Sequence, residues 1–159
     1  MYCSTAGQVY GMMDEIDKKI VQMLNADGRI NSIEMARKLD ISEGTVRNRI
    51  KKMIDADILK VTGLINPDRM PDKQLFLLGV KVASSKDLTK IAEVIATLKG
   101  VLSVYITTGR YDLIVEVWLP VKHGLIDFIS GPMAAIDGIV ATESFLAMKS
   151  IKKWIPESE

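Results

Sequence analysis

Residues 31–55, NSIEMARKLDISEGTVRNRIKKMID, constrain the fold more than any other stretch, because two apolar stripes at helical spacing are interrupted there by a single turn. Met35, Ala36 and Leu39 form the first stripe; Val46, Ile50 and Met53 form the second. Helices this short are marginal alone, so they must pack on each other and on a third element. Asn31 and Ser42 stand where each needs an N-cap, and Asn31 has capping-box spacing to Glu34. Between them, Asp40 is expected to take a left-handed backbone, and Ile41 to anchor the turn in the core. Ala36 is small enough for a neighbouring helix to cross closely. The third element is a helix over residues 14–25. Asp14, Glu15 and Asp17 suit the positive end of its dipole, Ile16, Ile20, Met23 and Leu24 make its buried stripe, and Asp27-Gly28 ends it. The pattern predicts a winged or three-helix helix-turn-helix domain.

The face of the third helix opposite its stripe carries the candidate chemistry. It presents Glu43, Gly44, Thr45, Arg47, Asn48 and Lys51, beside Ser42 at the cap and Arg49 and Lys52 at the flanks. Gly44 and Thr45 are short, which lets the helix tip approach base edges. Arg and Asn are the residue types that read guanine and adenine by paired hydrogen bonds, so Arg47 and Asn48 are the candidate base readers. Arg49, Lys51 and Lys52 are the candidate phosphate contacts. The partner this implies is double-stranded DNA. The plainer alternative is a solvated basic face on an ordinary helical bundle. What favours DNA is the whole pattern: an acidic first helix, a short second one, a four-residue turn, and a basic third helix with a clean stripe.

The charge is local. The chain has 21 Lys+Arg against 20 Asp+Glu, a formal net charge of +1, so global charge argues neither way. One cysteine, Cys3, and one histidine, His123, exclude an internal disulfide and a Cys/His zinc site, and no metal or cofactor is expected. No apolar run reaches the length of a membrane span, and the start MYCSTAGQVYGMM is no signal peptide, which fits a cytoplasmic protein. Residues 1–12 read as a disordered leader.

After the third helix, ILKVTGLI (residues 58–65) reads as a linker strand, and the polar NPDRMPDK as a domain boundary. This divides the chain into residues 13–66 and 67–159. In the second part, LFLLGVKVA is a strand, residues 86–98 an amphipathic helix, and VLSVYIT and DLIVEVWL two strands joined by Thr108-Gly109-Arg110-Tyr111. A helix follows from near Lys122, with Pro132 expected to kink or stop it near Gly131, and then a last strand over residues 139–148. The order strand-helix-strand-strand-helix-strand is the ferredoxin-like βαββαβ arrangement, making the whole chain α+β. LFLLGV and LIVEVW are apolar on both sides, so the sheet face without helices needs a cover. A second copy of the same sheet is the simplest, which predicts a homodimer.

Four segments in order now carry a resemblance: MDEIDKKIVQML with DGRIN, EMARKLDIS with TVRNRIKKM, the hairpin TTGRYDLIVEV, and IDGIVATES. Over about residues 13–150 the chain resembles the Lrp/AsnC, or feast/famine, transcription regulators. That resemblance implies a DNA-binding domain joined to a sensing domain, dimers that assemble into tetramers or octamers, and a small-molecule effector, most often an amino acid. It implies effector contacts at Gly109, Tyr111 and Asp112 of the hairpin and at Thr142 and Ser144 of the final loop and strand. The chemistry agrees: Asp112 can accept from an ammonium, and the hydroxyls of Thr108, Thr142 and Ser144 can serve a carboxylate. A Gly-x-Tyr-Asp run also makes a sound turn with no ligand. Asp40 and Asp57 stand where the family usually has glycine, and Pro132 is a further departure. An enzyme subunit similar to sirohaem decarboxylases, and a DNA-independent sensor or assembly partner, are the competing readings. His123 is the only histidine the enzyme reading could use, and no nucleophile-base pair is evident, so no enzyme is expected.

Overall fold

The computed structural model describes residues 13–156; the expected leader at residues 1–12 and the last three residues lie outside the described set. The chain divides into two compact units between Thr62 and Gly63.

In the first unit, α1 spans Glu15–Ala26, α2 Ser32–Leu39 and α3 Glu43–Asp55. Each start is set by its own cap. Asp14 accepts from the backbone N–H of Ile16 and Asp17, and Asp17 returns the bond to the Asp14 N–H, a capping box built from two carboxylates. Asn31 accepts from the Glu34 N–H at 2.8 Å. Only that half of the expected box forms, because the Glu34 carboxylate pairs one turn on with Lys38 at 2.7 Å. Ser42 accepts from the Thr45 N–H at 3.1 Å. Asp40 takes the expected left-handed backbone at φ 54°, and Asp57 repeats it beyond α3, also at φ 54°. Ile20, Met35, Ala36, Val46 and Met53 form the buried centre, with Ile41 and Ile50 packed against it. Each large side chain among them contributes about 1.5–3 kcal/mol of burial.

Residues 58–64 do not form the expected linker strand. Their β-forming residues find no partner strand, and Val61 and Leu64 are exposed; only Ile65 pairs, in one antiparallel bridge to Ile155. A strand needs a ladder to satisfy its backbone, and propensity alone supplies none. The bridge, with backbone bonds of 2.8 and 3.0 Å, ties Ile65 into the second unit.

That unit contains β1 (Lys73–Val82), α4 (Leu88–Ala96), β2 (Val101–Ile106), β3 (Leu113–Pro120), α5 (Gly124–Phe128) and β4 (Ile139–Leu146). Its sheet has the order β2-β3-β1-β4, every pair antiparallel. Pro132 acts earlier than expected: regular helix ends at Phe128, and Ile129–Met133 is a π turn closed by the Ala134 N–H on the Ile129 carbonyl at 3.1 Å. The wider turn accommodates a residue with no N–H to donate.

Strand alternation separates two faces. Phe76, Leu78, Val80, Leu113, Val115, Val117 and Leu119 point to α4 and α5, meeting Ile91, Ile95, Phe128 and Met133. The opposite face is covered at one end by the chain's own tail. Ile155 is buried on Leu75 and Trp118. Lys153 reaches the buried Glu116 at 2.7 Å, and the Ser103 hydroxyl donates to the same carboxylate at 3.0 Å. Farther along, Leu77, Phe145 and Tyr105 stay 38, 44 and 53 % exposed. Among the described residues, no helix is long and apolar enough to cross a membrane.

Candidate functional site

The exposed side of α3 is set by the Ser42 cap that starts the helix and by the buried stripe, Val46 and Met53, that fixes its rotation. Gly44, Arg47, Asn48, Lys51 and Lys52 are exposed. Arg47 pairs along the helix with Glu43 at 2.5 Å, leaving 70 % of its side chain open. The Ser42 and Thr45 hydroxyls lie 2.8 Å apart, so both belong to the helix start.

Arg49 behaves differently from the expectation. Its guanidinium Nη1 donates to Asp14 Oδ2 at 2.6 Å and to Asp17 Oδ1 at 2.9 Å. Only 26 % of its side chain is exposed. The residue read as a phosphate contact is a tie from α3 to the capping box of α1. The Asp17 backbone N–H, and then the Arg49 guanidinium, hold the Asp14 carboxyl below its ordinary range. Asp17 and then Asp14 push the Arg49 guanidinium up. The acids of the first helix therefore do more than suit its dipole: through Arg49 they brace the helix that carries the basic face.

In the second unit, the connection between β2 and β3 leaves Thr108 and Gly109 exposed, with Gly109 at φ 152°. The Thr107 hydroxyl donates to the Tyr111 carbonyl at 2.6 Å, and the Thr107 N–H to the Asp112 carbonyl at 2.9 Å. Asp112 Oδ2 accepts from the Val82 N–H at 2.9 Å, beside the bulge between Lys81 and Val82. A carboxylate read as an acceptor for a ligand ammonium thus secures the hairpin to the end of β1.

The expected effector residues do not converge within one chain. Thr142 pairs with Val80 and Ser144 with Leu78, so both side chains lie on the helix face. Tyr111 lies on the other. Its ring covers Gly79, where a Cβ would come within 2.6 Å of it, and its hydroxyl donates to Glu143. Arg110 stands 5.4 Å from the Tyr111 ring centre and 3.4 Å from Glu143, and Phe145 meets the ring edge-on at 6.2 Å. Arg110, Glu143, Phe145 and Gly79 were not singled out from sequence. The available signal was Gly79, a glycine inside an apolar strand, which often marks a close approach.

Residues 13–60 match the family of winged helix-turn-helix DNA-binding domains, and residues 75–154 match the Lrp/AsnC ligand binding domain. An HTH-type transcriptional regulator of Pyrococcus furiosus is 36 % identical over 144 residues, covering 90 % of this chain and 96 % of that one. The regulator FL11 of the same organism is 28 % identical, covering 90 % and 94 %. An AsnC family transcriptional regulator from Agrobacterium tumefaciens superposes with a TM-score of 0.70 at 26 % identity, over 89 % of this chain and 94 % of that one. A Neisseria meningitidis regulator, solved as a complex with L-Met, shares the fold with a TM-score of 0.70 at 23 % identity, over 89 % and 93 %. These families and relatives are regulators, not enzymes. Both units are matched in order and nearly end to end, and the chain belongs to the Lrp/AsnC family of DNA-binding transcription regulators.

Proposed function

We propose that Arg47 and Asn48 read base edges in the major groove, that Lys51 and Lys52 hold the flanking phosphates, and that Gly44 and Thr45 let the tip of α3 come close. The observation that carries this reading is the division of labour on α3: Arg49 is tied inward to two aspartates while Arg47, Asn48 and Lys51 stay outward. Two copies joined through the exposed part of the sheet face, around Leu77, Tyr105 and Phe145, present two such helices to a two-fold site.

The small effector is an amino acid. Support comes from the L-Met complex of the Neisseria relative and from the exposed hairpin tip at Thr108 and Gly109. Thr142 and Ser144 face away from Tyr111 in the same chain, so their hydroxyls serve the hairpin of an adjoining copy, with Asp112 positioning that hairpin. Fluorescence anisotropy on duplex from the chain's own promoter region, with and without each amino acid, tests both halves. Salt-sensitive binding that one amino acid shifts is the expected result. Absence of duplex binding overturns the DNA reading. Duplex binding that no amino acid alters, together with no amino acid raising the melting temperature, overturns the effector reading.

A further inference from the structure

α3 begins with an acid. Glu43 is its first residue, and the other acid of the helix, Asp55, is its last. Between them the exposed side carries Arg47, Asn48, Lys51 and Lys52. By charge alone an acid at the tip opposes entry to the major groove, because the groove lies between two rows of phosphate.

For the helix itself the acid is favourable. A carboxylate in the first turn suits the dipole, and Glu ahead of Arg at i, i+4 is the better order of such a pair. Glu43 Oε1 lies 2.5 Å from Arg47 Nη2, with 70 % of the arginine side chain and 36 % of the glutamate exposed. A pair so open to water shifts a population only about twofold. A paired contact from arginine to guanine is worth about 5- to 150-fold. The guanine contact therefore prevails over the pair, and Glu43 enters the groove with acceptor capacity to spare, since a carboxylate has two oxygens and about four acceptor sites.

Base chemistry selects what it takes there. A carboxylate only accepts, so base edges that present O6, O4 or N7 repel it. The amino groups of cytosine and adenine are the donors of the major groove. Adenine sets its N7 acceptor beside the amino group, whereas cytosine has no acceptor of its own there, so cytosine is favoured. Residues four apart stand about 6 Å apart along a helix, and base pairs stack about 3.4 Å apart. Glu43 and Arg47 thus reach base pairs one or two steps apart.

We propose that Glu43 is a specificity residue: it accepts the amino group of a cytosine one or two base pairs from the guanine read by Arg47, and it penalises any duplex without that cytosine. This rests on the reading that α3 enters the major groove.

Selection from a randomised duplex library with the full chain, followed by anisotropy on the selected site, tests it. The native chain should select a guanine with a cytosine one or two base pairs away, and changing that C·G pair to T·A should weaken binding about 5- to 150-fold. Glu43→Gln loses the charge and can both donate and accept, so it should bind the two duplexes about equally and random duplex more tightly. Glu43→Asp keeps the charge at the helix start but shortens the reach, so it should lose the preference while its melting curve stays close to the native one. A Glu43→Gln chain that keeps the native preference, or a selected site without that cytosine, overturns the proposal; an Arg47→Ala chain that still alters the selected site then leaves the groove reading standing. If no duplex sequence is selected by the native chain, both fall.

Discussion

Replacing Gly44 by alanine separates what the tip of α3 does for the fold from what it does for DNA. A Cβ at Gly44 meets nothing nearer than the Ser42 hydroxyl oxygen at 3.9 Å, an ordinary contact, and Gly44 is not among the residues with positive φ. Glycine is therefore not needed there for packing or for backbone geometry. In a helix it costs roughly 0.5–1 kcal/mol relative to alanine through backbone entropy. Gly44→Ala should thus stabilise the first unit by about that amount, seen as a higher denaturant midpoint at unchanged slope. Affinity should move the other way. If the tip lies against the edge of the groove, a methyl group forces it outward, and an overpacked contact of about 1–3 kcal/mol weakens binding roughly 5- to 150-fold. Both changes are measured on one preparation, by urea unfolding and by anisotropy on the preferred duplex. A variant that gains stability and binds equally well refutes the close approach of the tip. A variant that loses stability refutes the account of the turn.

Other outcomes follow from the same structure. The Asp14 carboxyl titrates below its unfolded value, so the native state binds fewer protons between the two values; its contribution to stability is present above about pH 4 and is lost as pH falls through the folded value. Asp14→Asn should flatten that acid limb in urea unfolding followed against pH, leaving the neutral-pH slope alone. Gly79→Ala puts a Cβ within 2.6 Å of the Tyr111 ring and should displace it, costing about 1–3 kcal/mol and shifting the tyrosine's ring resonances by NMR; Gly79→Ala with Tyr111→Ala should recover most of the loss. Lys153→Met leaves Glu116, 7 % exposed, without its cation. Because Lys153 is partly exposed, the cost should fall below that of a fully buried pair, about 1–3 kcal/mol by thermal unfolding, and Glu116→Leu in the same chain should restore most of it.

The features legible in the sequence depend on near neighbours. Caps at Asn31 and Ser42, the left-handed Asp40 and the stripes on α1 to α3 are decided within four residues, and they stand where the pattern put them. The succession of strands and helices in the second unit was legible too, because alternation and turn residues repeat along it. The tie of Arg49 was not: its partners lie 35 and 32 residues away, and an arginine on a basic helix reads the same whether it meets water, phosphate or a distant aspartate. Residues 58–64 misled because their composition favours a strand, whereas a strand exists only where another backbone pairs with it. The grouping of Thr142 and Ser144 with Tyr111 failed within one chain for a geometric reason. Register decides faces, and one residue of shift moves a side chain to the opposite side of the sheet. The Lys153–Glu116 contact joins a tail to a strand 37 residues away, and nothing local announces it.

The salt dependence of duplex affinity tests the account's central claim most directly, namely that the outward side of α3 meets DNA while Arg49 does not. For the native chain, the logarithm of the association constant should fall linearly with the logarithm of salt concentration. Lys51→Met should reduce the slope by about 0.9, one phosphate contact, and Arg47→Ala should compress the gap between preferred and random duplex by about 1–3 kcal/mol. Asp17→Asn, which loosens the tie without touching the outward face, should not steepen or flatten that slope. A salt slope near zero, or slopes and sequence preference that ignore both Lys51 and Arg47, would contradict it.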